Sequence, residues 1–595
     1  MKYPTLYTKE NSRKIVDVFK GYNHNLRIGD GEFFDMKNMT SDFYPVLCPR
    51  KKRGVYASPN KPTALISKDA LCYVDGSKFV INEYAVDMGL NDEPKQLVSM
   101  GAYVIIMPDK KYINTKDLTD FGNIEAFFPG VKDQEVTAIY EMCKVDGSVY
   151  DKTVTSPSAP ENPGNMQLWI DTSSTPHVLK QYSEVSAVWV QIATTYIKIS
   201  APNIAAAFSQ YDAVKITGLP EDVPQLNELN GQTFPLWDVH HDPGSENAAE
   251  GANDYIVIVG LLDETFSATS KLRLERTMPV MDFVIESGNR LFGCRYGPSS
   301  SGEVVNEIYA SKLGDFKNWS CFMGLATDSY AASCGTDGQF TGAITHLGYP
   351  LFFKENCVHK VYGNYPANFQ IQDTACRGVQ AGCERSLAIV NETLFYKGRS
   401  GVCSYDGSLP TEVSYALGNE VYRDAVGGAH GNKYYISMVD IHDEYHLFVF
   451  DTAKGMWHRE DNLQVDAFCS CRGEMYAISK GKIITMLGSG TAEEDPVEWM
   501  VQTGEIGISS PDMKYISRLT VRMSMDIGAE VRFYAQYDFS EEWELLFSLR
   551  SDNLRSFSLP IRPKRCDHMK LRIEGEGMAK IYSITKTIEQ GSELS

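Results

Sequence analysis

The sequence predicts an all-β chain: a β-propeller that carries an inserted small β-barrel domain and ends in a C-terminal β-sandwich. Three observations predict it. One phrase, a short apolar strand, a polar turn and a second strand, recurs at roughly 40 residues, the spacing of a four-stranded propeller blade. Between 131 and 275 short strands continue but the rhythm breaks. After about residue 490 the pattern becomes strict alternation, the period of a half-buried antiparallel sheet.

The elements follow in order. ALISKDALCYVDGSKFVINEY (64–84) is a hairpin, with Asp75-Gly76 supplying the positive φ angles of a tight turn, and SMGAYVIIMPDKKYIN (99–114) is another. In the insert, TPHVLKQYSEVSAVWVQIATTYIKISAP (175–202), YDAVKITG (211–218) and DYIVIVGLLD (254–263) read as strands, and HHDPGSENAAEGAND (240–254) as an exposed loop. The rhythm returns at NRLFGCRYG (289–297). It is clearest in LGYPLFFKENCVHKVYG (347–363) and ETLFYKGRSGVCSYDG (392–407), where Leu351-Phe352-Phe353-Lys354 answers to Leu394-Phe395-Tyr396-Lys397. Tyr434 and Met475 begin two further copies. A lone hairpin cannot bury its apolar face, so the hairpins are expected to stack as blades. At the C-terminal end, KYISRLTVRMSM (514–525) sends Leu519, Val521 and Met523 one way and Arg518, Thr520 and Arg522 the other. The expected division is 1–130 for a closing segment and the first blades, 131–275 for the insert, 276–490 for the remaining blades and 491–595 for the sandwich. Part of 14–48 is expected to pair with the last blade near 475–486 and so staple the propeller.

Composition bounds the function. The 595 residues are 43% hydrophobic and 23% charged, with 33 tyrosines and 27 phenylalanines, as expected of folded β-domains. A formal charge of −20 speaks against gripping nucleic acid through its phosphates, and equally against an anionic membrane surface. Thirteen cysteines scattered singly read as reduced thiols of a cytoplasm. The start, MKYPTLYTKENSRK, has no apolar run, so no signal peptide is expected. YIVIVGLL is too short to span a bilayer.

No catalytic set emerges. HDEYH (442–446) holds two histidines but lies in a hairpin turn, where the rings need not converge on a metal. His240-His241-Asp242 lies in the insert's loop without an obvious third ligand. Cys469 and Cys471 share one face of a strand as small buried residues. GDGEFF (29–34) and LGSGTAEED (487–495) lack the Lys-Ser/Thr of a phosphate loop. The expectation is therefore a protein that is not an enzyme, with no cofactor and no metal. Two basic clusters stand out in this acidic chain: Arg50-Lys51-Lys52-Arg53, and Arg562, Lys564 and Arg565. They are candidate contacts to an acidic neighbouring subunit.

The N-terminal run GYNHNLRIGDGEFFDMKNMTSDFYPVLCPRKKRG (21–54), with Asn38, Pro45, Pro49 and Arg50, resembles the opening of phage tail nozzle proteins, the tubular-protein-B-like components of short-tailed phages. RLFGCRYG…EIYASKLGDFKNW (290–319) is similar to a blade of that family, through Ser311-Lys-Leu-Gly314-Asp315-Phe316. The blade at 347–363 and the close IEQGSEL (588–594) also resemble phage and prophage tail proteins. The resemblance implies a virion structural protein made in the host cytoplasm: a nozzle- or hub-like ring, expected to be a hexamer, that contacts neighbouring tail and adaptor proteins and lets viral DNA pass without specific binding. It implies no membrane insertion. The alternatives are a tail-associated receptor-binding adhesin or a propeller-type glycan-degrading depolymerase.

Overall fold

The computed structural model describes residues 12–151, 153–244, 249–488, 494–508, 513–550, 555–559 and 564–590. About half of the chain is strand, and the one α-helix among the described residues is the four-residue Pro224–Asn227. The fold is a β-propeller with an inserted β-domain and a C-terminal β-sandwich. Six four-stranded sheets, and four strands of a larger sheet at 423–459, make the blades, in chain order 62–87, 96–123, 283–333, 342–375, 388–412, 423–459, and 467–485 completed by Gly54–Ala57. They are blades 1 to 7 below. The chain divides into two compact units, one of residues 1–97, 338–360 and 372–595, the other of 98–337 and 361–371.

In the first unit the repeated phrase occupies one station. Tyr349–Lys354, Thr393–Lys397, Lys433–Val439 and Glu474–Ser479 are each the second strand of their blade, paired on both sides. Leu351 is 1% exposed, and Leu394, Tyr434 and Met475 are fully buried. Successive stations touch: the Phe353 ring lies 5.2 Å from Tyr396, and Phe395 lies 5.3 Å from Tyr434. Even the repeated lysines are buried, Lys354 beside the Phe340 ring and Lys397 on the Gln380 and Gly398 oxygens. Blade 7 packs on blade 1 through Leu71, Cys471, Ile478 and Ile483.

The closing strand exists but is not the expected one. Gly54–Ala57 pairs with Lys482–Thr485, in the register Ile484 to Val55, and supplies the fourth strand of blade 7. The segment 14–48, expected in that role, is paired elsewhere. Ser12–Val16 pairs with Ala579–Gln590 in the sandwich. Gly21–Tyr22 joins the outer strand of blade 6 through Tyr22 and Trp457, and runs parallel to Glu32–Lys37, which pairs with Glu498–Thr503. One ten-stranded sheet therefore runs from blade 6 into the sandwich. Gly21 is required there: at φ +85, an added Cβ would lie 2.3 Å from the Trp457 carbonyl oxygen.

The sandwich core is the alternation read from sequence. Leu519, Val521 and Met523 are fully buried against Val531, Phe533 and Ile573, while Arg518 and Arg522 are exposed. In the second unit, blades 2 and 3 share a core that includes Ile105, Ile124, Leu291, Phe316 and Trp319. The insert's strands run from Ala126 to Arg276 around a separate core built on Ile170, Ile197, Ile216 and Ile258.

Candidate functional site

The basic cluster at 50–53 faces inward at both ends. Arg50 and Arg53 are only 4% and 6% exposed. The Arg53 guanidinium donates to Glu460 and Asp461, each at 2.6 Å, and Arg50 donates two bonds, of 2.8 and 2.9 Å, to Glu494. Arg50 Nε also donates to Asn38 Oδ1 at 2.8 Å, and Asn38 Nδ2 to the Glu498 carbonyl at 2.7 Å. The expectation that these two arginines contact a neighbouring subunit is corrected: carboxylates of the same chain already hold them. The span Asn38 to Arg53 is an internal clasp that joins the closing strand to blade 6 and the sandwich. Burial opposes charge on Arg53, but Asp461 and Glu460 outweigh it and raise its pKa. Lys51 stays exposed. Lys564 pairs with Glu544 of its own chain, Arg565 is exposed, and Arg562 lies outside the described residues.

The Ser311–Phe316 phrase is also structural. Ser311 exchanges backbone and side-chain bonds with Leu291, and Asp315 accepts from Asn318 at 2.6 Å. Asn318 in turn accepts from the Ala213 backbone at 2.8 Å and donates to Asp212, which tethers the insert to blade 3.

The histidine motifs resolve differently from their spelling. His442 and His446 do not converge. Asp440 accepts from the His442 and Glu444 backbone and from His446 Nε2 at 2.9 Å. Ligand atoms of Asp440, Glu444 and His446 lie within 4.8 Å of one another, the one His/Cys/carboxylate group of that kind among the described residues. Burial favours a neutral Asp440, yet His446 and the two backbone donors hold its pKa at about 2. In the insert, His240 stacks on Tyr255, and His241 bridges buried Asp254 at 3.0 Å and Glu250 at 3.3 Å. Hydrogen bonds donated to those two carboxylates raise the His241 pKa. Cys469 and Cys471 are free, and burial pushes the Cys469 thiol up to about 12, far from a reactive thiolate. Gly29 leads into the strand Glu32–Lys37, not a helix; most of 487–495 lies outside the described residues.

Sequence spacing did not reveal a cleft of about 360 Å³ where blades 5 and 6 meet the N-terminal segment. Lys397, Arg399, Glu412, Tyr415 and Glu420 line it. Lys397 is buried and its pKa falls for that reason; Glu412 bonds Arg377 at 3.1 Å and Ser414 at 3.2 Å. Tyr415 is 78% exposed. Lys397 and Glu412 end strands, Tyr415 begins a short 3-10 turn and the others lie in connecting loops, so no periodic pattern announces them. The cleft brings together two carboxylates, two cations and an aromatic ring, a set suited to a polar, hydroxyl-rich ligand.

No family model and no curated protein matches this chain. Among solved structures, it is similar to an exo-β-1,3-galactanase from Phanerochaete chrysosporium in complex with galactose, at 9% identity over 51% of this chain and 94% of that one, with a TM-score of 0.20. It is also similar to a GH43 glycoside hydrolase engineered for endo-xylanase and exo-arabinofuranosidase activity, at 8% identity over 52% and 96%, with a TM-score of 0.19. The likeness concerns fold alone. The expectation that the chain is not an enzyme is nevertheless corrected here: these structures are glycoside hydrolases, so the architecture gives no ground for excluding catalysis.

Proposed function

We propose that the chain is a structural component of a phage tail, a ring-forming nozzle or hub subunit that contributes to the DNA-ejection conduit. One observation carries this reading: the phrase 21–54, which resembles the tail nozzle family, acts as a clasp. Between Gly21 and Ala57 the chain enters blade 6, the sandwich and blade 7 in turn, and the buried guanidinium groups of Arg50 and Arg53 lock that path with ion pairs. Such weaving suits a part that must bear load without opening. Imaging of the purified protein tests it. Rings with a central channel are expected; monomers at every concentration would overturn it.

A second reading, a propeller that binds or cleaves glycans, is favoured by the cleft at Lys397, Glu412 and Glu420. Glycoside hydrolysis needs a pair of carboxyl groups flanking the bond. Release of reducing sugar from bacterial surface glycans, lost in both Glu412→Gln and Glu420→Gln, would support it. Wild-type protein that neither binds nor cleaves such glycans would rule it out.

A further inference from the structure

The insert contains a four-stranded sheet whose two edges are both unpaired among the described strands. Its strands, in order across the sheet, are Thr153–Ser156, Leu168–Asp171, Val178–Ser183 and Val188–Gln191. One face packs on the insert's core through Leu168, Ile170 and Leu179. The other carries Trp189 against Trp169 at 5.2 Å and against Tyr182 at 5.4 Å. No described strand pairs with the outer side of Val188–Gln191 or of Thr153–Ser156.

An open edge presents unpaired N–H and C=O groups, and folded proteins commonly blunt it with charge, proline or a bulge. At the Val188–Gln191 edge that protection is missing. Residues 185–195, VSAVWVQIATT, contain no charged residue and no proline in a chain that is 23% charged. Val188 is 49% and Val190 52% exposed, and Val185 at the hairpin tip is 100% exposed. The turn includes Ala187 at φ +52, where glycine or asparagine is the usual choice. The opposite edge, TVTS, is equally uncharged, with Val154 38% exposed. By contrast, the outer strands Tyr84–Asp87, Gln370–Ala375 and Thr411–Glu412 of three blades each carry an acid.

We infer that this sheet is a head-to-tail interface between copies of the chain: the edge Val188–Gln191 of one copy adds to the edge Thr153–Ser156 of the next. The occupant follows from charge and fit. Copies that each carry −20 repel one another over most of their surface, so a contact between them belongs where charge is absent. Both edges are four residues long and uncharged. They are opposite edges of one sheet, so the contact is heterologous, the kind that generates rings when the rotation closes. The inference deepens the ring reading and rests on it.

Sedimentation velocity and light scattering across the micromolar range test it on the full chain. Val188→Lys with Val190→Lys, and separately Val154→Lys, should each weaken association by about ten-fold or more. Val190→Thr, similar in shape and uncharged, should associate like wild type, and matching thermal unfolding checks that every variant folds. An equimolar mixture of the two lysine variants retains one good donor edge and one good acceptor edge, so it should stop at the dimer. Wild-type protein that stays monomeric overturns the inference. So does a wild-type end state of a dimer that only the Val188/Val190 variant abolishes, since that is self-pairing of one edge. Rings that persist in both lysine variants sink this contact and leave the ring reading standing. Edge-dependent rings in a protein absent from tail particles would do the reverse.

Discussion

Arg53 and Glu460 meet at 2.6 Å with both side chains more than nine-tenths buried. Asp461 and Arg50 complete the cluster, which sits where the closing strand leaves the N-terminal segment. Removing one partner of a buried ion pair leaves a charge without compensation and costs about 3–5 kcal/mol. Arg53→Met should therefore lower the urea midpoint sharply, and Glu460→Met alone similarly. The double substitution should cost clearly less than the sum of the two. Additive losses would mean that Arg53 and Glu460 do not act as a pair.

Leu351 and Leu394 test the equivalence of blades 4 and 5. Each is the buried leucine of the repeated strand, so Leu351→Ala and Leu394→Ala should each destabilise by about 2–5 kcal/mol through lost burial and a residual cavity. Near-wild-type unfolding of either variant would contradict the burial described above.

The closing strand gives a third expectation. A truncation that removes residues 1–57 strips Gly54–Ala57 from Lys482–Thr485 and opens the outer edge of blade 7. The product should aggregate or elute as large species. A soluble, cooperatively unfolding truncation would show that the edge needs no cover.

His458 sets a window of acid sensitivity. It is buried near Lys433, Asp451 and Asp42, and burial, reinforced by Lys433, lowers its pKa from 6.5 to about 3. Between those values the unfolded chain binds a proton that the folded chain does not. The neutral state therefore gives full stability above the unfolded value, and stability falls as pH drops below it, by up to about 1.4 kcal/mol per pH unit. The carboxylates held below their ordinary range, Asp440 and Asp461, contribute loss only at lower pH, where unfolded carboxylates begin to protonate. Urea midpoints at about pH 7.5 and about pH 5 read the histidine contributions, to which His359, lowered by burial, adds in the same direction and His241, raised by its carboxylates, in the opposite one. His458→Leu should reduce the slope; an unchanged slope would assign the effect elsewhere.

The fold was legible where burial repeats locally. The Leu-Phe-aromatic-Lys phrase marks the second strand of blades 4 and 5, and the alternation at 514–525 marks the sandwich, because each pattern records which side chains lose water. What was not legible depends on distance in sequence. Nothing local distinguishes Gly54–Ala57 from the longer candidates at 14–48, since the choice lies with edges more than 400 residues away. Arg50 and Arg53 read as surface charge because their partners, Glu460, Asp461 and Glu494, are equally remote. The cleft at Lys397 and Glu420 stayed hidden although its residues lie close in sequence, because they sit in turns and strand ends without a periodic pattern; the buried lysine itself was written into the repeat.

The charge balance leads to the last prediction. If copies of this chain surround DNA that must slide, a basic bore would bind phosphates and stall it, whereas an acidic bore repels the backbone and keeps the duplex centred. The chain carries 77 acidic side chains against 57 basic ones. Among the basic ones, Arg50 and Arg53 are neutralised within the fold, which removes two cations from any lumen. An assembled ring should thus line its bore mainly with Asp and Glu, and its affinity for duplex DNA should be negligible at moderate salt. A surplus of acid also keeps a monomer soluble, so net charge alone does not separate the cases. Position does: charge mapped on an image of the assembled ring, together with a filter-binding titration over a salt series, distinguishes them. A bore dominated by Lys and Arg, or tight salt-sensitive binding of duplex DNA, would rule out passage by sliding even in a protein that forms the ring.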